Sequence, residues 1–259
     1  MSFTTEASSP NQSSSKEMCS FRQACDSELS AQTLNNEAAF CIEIGQYDEA
    51  HNKLSTAMNQ LNILQLSGNY QSCTCQRCNL QACLDHFNNR RPSVEECSEE
   101  THFVHRQPIL IPHDESMGHC MGVTLQTIIC MNLALTYHLS AMEITESELR
   151  MTHFRRSFEM YHMVMEELTS GDQPPQVLRL VMAIANNLGE IHRFVGNQGK
   201  WVKCMEHLLS TIMLYVYCFQ ANGNEDTSQS PNKDPLINGL MMNVCSSSVM
   251  QQTKAARAA

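Results

Sequence analysis

The sequence is poor in the residues that punctuate strands. Its 259 residues include only 10 Gly and 8 Pro, and β-branched runs are few. Many short strands joined by tight turns need more of both, so the composition points to helices. Charge is also scarce, at 17% of residues, and the balance is a net charge of −10. An acidic chain repels phosphate backbones, which argues against nucleic acid as a partner. The nearest basic cluster, Arg150, His153, Arg155 and Arg156, falls on one helix and reads as a solvated face. No apolar run approaches the ~20 residues that span a bilayer, so no membrane segment is expected. The densest run, residues 125–139, is broken by Gln126, Asn132 and His138. Residues 1–20 have no apolar stretch of the secretory kind, and they hold Glu6 and Glu17 against a single Lys. The 13 Cys are odd in number and scattered, unlike a secreted disulfide framework. A reducing compartment, cytoplasm or nucleus, is the expectation.

Catalytic motifs are missing as well. There is no Gly-rich phosphate loop, no G-x-S-x-G and no H-E-x-x-H. The paired acids Glu99-Glu100 and Glu166-Glu167 have nothing to place them around a pocket. The chain reads as a non-enzymatic protein that needs no cofactor.

What the chain does have is helical seams. Ile184, Leu188, Ile191 and Val195 recur on one helical face, and Gly196-Asn197 supplies a stop. Val202, Met205, Leu209, Ile212, Val216 and Phe219 then alternate by three and four. A helix, a Gly turn and a second helix whose seams face each other make a hairpin. Residues 30–64 repeat the design: a helix near 33–44, Gly45 as its end, then Tyr47, Ala50, Leu54, Ala57, Leu61 and Leu64. Residues 119–168 repeat it again, with a first helix that is apolar nearly all round and a second carrying Met151, Phe154, Phe158, Tyr161, Met165 and Leu168. With 17 Met in the chain, such seams pack adaptably.

These hairpins resemble the tetratricopeptide repeat (TPR), whose pattern is Trp, two residues, Leu-Gly, two residues, Tyr, then Ala, three residues, Phe. Leu188-Gly189 match, with Ala185 at the Trp place and His192 at the Tyr place. Cys130, Leu133-Ala134 and Tyr137 fit in the same way, and Ala50 and Leu54 fit the Ala-to-Phe step. Trp201 stands where a small Ala is expected, and Glu37 where Leu is expected. The resemblance implies an all-α, TPR-like stack of three antiparallel hairpins, an α-solenoid, acting as a protein-interaction scaffold. Its partner is a protein or peptide of unidentified kind.

The expected organisation is a disordered segment 1–29, a first hairpin 30–64, a Cys/His-rich irregular insertion 65–118, second and third hairpins 119–220, and a polar linker and tail 221–259. Within the tail, a short apolar run at Leu240-Met241-Met242 and Val244 can cap the last hairpin.

Two sets of residues stand out as candidate sites. Asn36, Asn132 and Asn187 each precede the Leu place, so in a stack they fall side by side along the first helices. A ladder of amides there can hydrogen-bond an extended peptide backbone, or can bridge helices internally. The first two of these helices, as bounded above, carry no Lys or Arg, so the resemblance does not extend to repeats that grip terminal carboxylates. The second set is Cys73, Cys75, Cys78 and Cys83, close enough in sequence to wrap a zinc ion, with Cys97, His102 and His105 downstream. Only one C-x2-C half-motif exists, so free thiols in a mobile loop are the competing reading. His102, His105, His113 and His119 read as exposed loop histidines.

Overall fold

The computed structural model describes residues 13–66, 80–89, 102–112, 121–169, 175–221 and 234–258. All the regular structure among them is helical. The eight helices are α1 (Ser13–Glu43), α2 (Tyr47–Leu66), α3 (Leu80–Asn89), α4 (Val123–Glu143), α5 (Ser147–Thr169), α6 (Pro175–Phe194), α7 (Gln198–Ala221) and α8 (Pro235–Ala258). None is long and apolar enough to cross a membrane.

Three pairs form the body: α1 with α2, α4 with α5, and α6 with α7. Each pair packs on the next through α2–α4 and α5–α6, and α7 receives α8. The turns of the first and third pairs are built alike. Gly45 and Gly196 both adopt φ 77°, a left-handed conformation that suits Gly. At the first, Gln46 N donates to Cys41 O (2.8 Å) and Gly45 N to Ile42 O (3.1 Å). At the second, Asn197 N donates to His192 O (2.8 Å) and Gly196 N to Arg193 O (3.0 Å). Both are Schellman caps, which satisfy the last carbonyls and reverse the chain at once. Asn197 then accepts from Lys200 N through Oδ1 at 3.3 Å and starts α7.

The second helix of each pair buries one stripe: Ala50, Leu54, Ala57 and Leu61; Ser157, Tyr161, Val164 and Leu168; Trp201, Met205, Leu208 and Ile212. The large Trp201 at a place held by Ala50 and Ser157 is accommodated from the opposite helix. A Cβ on Gly189 would lie 3.6 Å from Trp201 Cδ1, 3.3 Å from Cys204 Cβ, and closer still to Met205 Cε. The bare Gly189 backbone makes that room.

The structure differs from the sequence reading in three places, one of them being α8, which occupies most of a stretch expected to be polar linker and tail. α1 begins at Ser13, inside the segment expected to be disordered, and residues 1–12 lie outside those described. No Gly or Pro interrupts residues 13–43, so nothing breaks the helix. The extension, which brings Lys16 and Arg22 into α1, is anchored by Glu28, a fully buried residue. Its Oε1 accepts from Met121 N and, at 3.2 Å, from Gly122 N, at the start of α4. α4 has no acidic residue in its own first turn, so Glu28 supplies negative charge to that helix end.

A further difference is the insertion. Residues 80–89 form α3, which lies on α6, and residues 102–112 have no regular secondary structure, with Phe103, His105, Pro108, Ile109 and Ile111 buried. The sequence suggests a helical turn or two at 80–87 and an irregular, flexible stretch for the rest of the insertion. Apolar spacing explains the change: Cys83, Leu84 and Phe87 turn one face of α3 into the core, joined there by Ile109 and Ile111.

Candidate functional site, an asparagine ladder around an extended segment

The amides of α1, α4, α6 and α8 converge on the 102–112 segment. Phe103 N donates to Asn243 Oδ1 (2.9 Å), and Asn243 Nδ2 donates back to Phe103 O (2.7 Å). His105 makes the same exchange with Asn187, at 2.9 and 3.0 Å. Ile109 makes it with Asn132, at 2.8 Å in both directions. Ile111 makes it with Asn36, again at 2.8 Å in both directions. Each carboxamide offers one acceptor and one donor side by side. In an extended chain the N–H and C=O of one residue point the same way, and residues two apart repeat that direction. A row of Asn side chains therefore serves the segment as a neighbouring strand would.

The odd-numbered residues follow from that period. The gap at Gln107 is filled locally, because its carbonyl faces His105 Nε2 at 3.1 Å. Pro108 next to it has no N–H to satisfy. The segment runs from α8 toward α1, opposite to the order of the helices along the chain.

A second rank of amides holds the first. Asn35 accepts from Asn132 Nδ2 (2.9 Å) and donates to Ile109 O (3.1 Å). Asn186 accepts from Asn243 Nδ2 (2.7 Å) and donates to Phe103 O (3.0 Å). Asn187 Nδ2 also reaches Tyr161 Oη at 3.0 Å. Asn35, Asn132, Asn186, Asn187 and Asn243 are all fully buried, and the network meets their polar needs.

Side chains of the clamped residues fill shaped places. The Phe103 ring lies directly over Gly239, where a Cβ would stand 2.5 Å from ring carbon Cδ2. It joins Met182, Trp201, Leu236 and Leu240 in one apolar cluster. His105 meets Phe87 of α3 edge-on, with ring centroids 5.3 Å apart. Burial lowers its pKa to about 4, so the ring is neutral and its Nε2–H donates to Gln107 O. Ile109 and Ile111 are buried in the main core.

α8 completes the ladder and is fixed to it from its first residue. Asp234 caps the helix by accepting from Leu236 N at 3.0 Å, with Pro235 at the first helical position. The same carboxylate is paired with Arg179 of α6, both residues being mostly buried.

Asn36, Asn132 and Asn187 thus lie on one segment, but that segment belongs to the chain itself. Asn35, Asn186 and Asn243 were not among the sequence candidates. The signal for two of them is the doublets Asn35-Asn36 and Asn186-Asn187. For the third it is Asn243-Val244, which repeats Asn132-Leu133 and Asn187-Leu188 inside a stretch read as tail.

The cysteine set fares differently. Cys73, Cys75, Cys78 and Cys97 lie outside the described residues, as do His113 and His119. Cys83 is fully buried among apolar side chains, and burial pushes its thiol up to about 12. A thiol held there is not presented as a zinc ligand. His105, expected on the surface, is buried, and His102 sits 3.8 Å from the buried Glu190. Among the described residues no group of His, Cys, Asp and Glu is placed to hold a metal ion.

No protein-family model matches this chain, and neither a curated protein nor a solved structure does.

Proposed function

We propose that this chain is a non-enzymatic protein-interaction scaffold, a TPR-like stack of hairpins whose inner face binds an extended peptide. The observation that carries the reading is the set of two-way amide clamps at Phe103, His105, Ile109 and Ile111. They engage only backbone groups, so the face is chemically suited to any chain that adopts the same extended form and fits the side-chain places. α8 then stands in the place of a further first helix, since Asn243-Val244 takes up the register of Asn187-Leu188. The face is polar without being charged at the clamps, so binding should depend weakly on salt.

Selection of ligands from a displayed peptide library against the purified protein tests the reading. Selected peptides should lose affinity severalfold on Asn36→Ala, because one hydrogen bond is worth about 0.5–1.5 kcal/mol. Asn36 suits this test because it is only partly buried. Selected ligands that bind the Asn36→Ala and Asn243→Ala proteins unchanged would place the contact surface elsewhere.

A further inference from the structure

The chain's own 102–112 segment already occupies the surface on which the proposed function rests, and it shows what that surface accepts. We propose that the external ligand is a peptide with the same alternation as this segment, and that it binds by displacing the segment from the face. The pattern is a ring at the first and third positions (Phe103, His105), Pro at the sixth (Pro108) and aliphatic residues at the seventh and ninth (Ile109, Ile111).

Three observations carry this. The amides contact backbone atoms alone, so they do not distinguish the chain's own residues from another peptide's. Selection falls to the side-chain places, and these are narrow. The flat ring of Phe103 fits over the bare backbone of Gly239, His105 stacks edge-on against Phe87, and Ile109 is fully buried. The intervening residues are less enclosed: Arg106 and Pro112 are exposed, and Val104 and Leu110 are half-buried. Pro108 is the exception, buried next to Ile109, so the positions read are 103, 105, 108, 109 and 111. Direction is fixed too, because each clamp binds the N–H and C=O of one residue, and the two ring positions meet α8 and α6 while the aliphatic pair meets α4 and α1.

The segment differs from an ordinary core element in how it is held. Among the described residues it makes no ladder with a neighbouring strand; its backbone is bonded by amide side chains at Phe103, His105, Ile109 and Ile111, and by His105 at Gln107. Such an element can leave without unwinding the helices that bind it. While it is in place, the face is closed to other ligands, so the chain carries its own competitor.

The test uses the full chain and a labelled synthetic peptide of the 102–112 sequence. In the variant Phe103→Ser/Ile109→Ser/Ile111→Ser the internal competitor is weakened. The peptide should bind this variant at least tenfold more tightly than it binds the unaltered protein. A second peptide, in which each odd-position residue is exchanged with its even neighbour, should not bind. Equal binding of both peptides would overturn the pattern while leaving a peptide-binding face intact. Binding of neither peptide to a variant that remains helical would overturn the proposed function as well. A variant that ignores the peptide but dimerises with an unaltered copy would make the occupant a second chain and refute the external ligand. If the triple variant does not fold, the unaltered protein still decides the matter. With a large excess of peptide, hydrogen exchange at residues 103–111 of the protein should speed up while α4 and α6 stay protected. Exchange there that never precedes global unfolding would make the segment a permanent part of the core and refute displacement.

Discussion

Replacing Asn132 by Ala isolates the work of one clamp at the centre of the ladder. The side chain is fully buried and takes part in three hydrogen bonds: it accepts from Ile109 N and donates to Ile109 O and to Asn35 Oδ1. After truncation Ile109 O keeps Asn35 as a donor at 3.1 Å. Ile109 N has no replacement, and a buried unsatisfied N–H costs about 1–3 kcal/mol. Loss of the bond to Asn35 adds about 0.5–1.5 kcal/mol. Together with the space left by the amide, the expected destabilisation is about 2–5 kcal/mol. Asn36→Ala supplies the control, because that clamp is only partly buried and water can replace it. Its cost should stay near 0.5–1.5 kcal/mol. Equilibrium denaturation in urea, analysed with a common slope, measures both. Equal costs for the two variants, or a negligible cost for Asn132→Ala, would refute the reasoning that the buried amides are needed to satisfy the segment's backbone.

Gly239→Ala should be destabilising, by about 1–3 kcal/mol from overpacking less up to ~1 kcal/mol regained in helix propensity, because the new Cβ meets the Phe103 ring. Pairing it with Phe103→Ala in a double-mutant cycle should remove that clash, and a cycle with no coupling would contradict the contact. For His105, the folded pKa is about 4 against an ordinary 6.5. Its contribution is therefore complete above pH 6.5 and falls as the pH drops toward 4, with about 2 kcal/mol lost by pH 5. His105→Phe keeps a ring against Phe87 and removes the titration, so its stability should fall less steeply between pH 6.5 and 5; an unchanged slope would show that His105 is not buried neutral. Under native conditions an alkylating reagent should label the exposed Cys245 and spare Cys83 until the protein unfolds, and rapid native labelling of Cys83 would contradict its burial.

The three body hairpins were legible because their signals are local. Gly45 and Gly196 end helices by a conformation that Gly favours, and the three-four seam names the buried face of α2. In α5 and α7 the seam is offset in part: Met151 and Leu209 are exposed, and Ser157, Val164, Trp201 and Leu208 are buried instead. The amide ladder was legible in part, since the Asn before each Leu place marks a common register. What occupies it was not. The bonds that seat 102–112 join residues as far apart as Phe103 and Asn243, and no local period reveals such a pairing. The segment is short, carries two Pro, and sits in a stretch whose Cys and His drew attention to metal chemistry instead. The early start of α1 was hidden in the same way, because Glu28 anchors it through groups near Gly122, far along the chain.

The most direct test of the central claim is residue-resolved amide hydrogen exchange along 102–112 in the isotopically labelled protein. The clamps engage the N–H groups of Phe103, His105, Ile109 and Ile111. Those four should exchange slowly, and Val104, Arg106 and Leu110 between them should exchange faster. Substituting Asn187 by Ala should release His105 before Ile111. Rapid exchange at all of these positions, or protection with no alternation, would contradict an extended segment held by asparagine side chains.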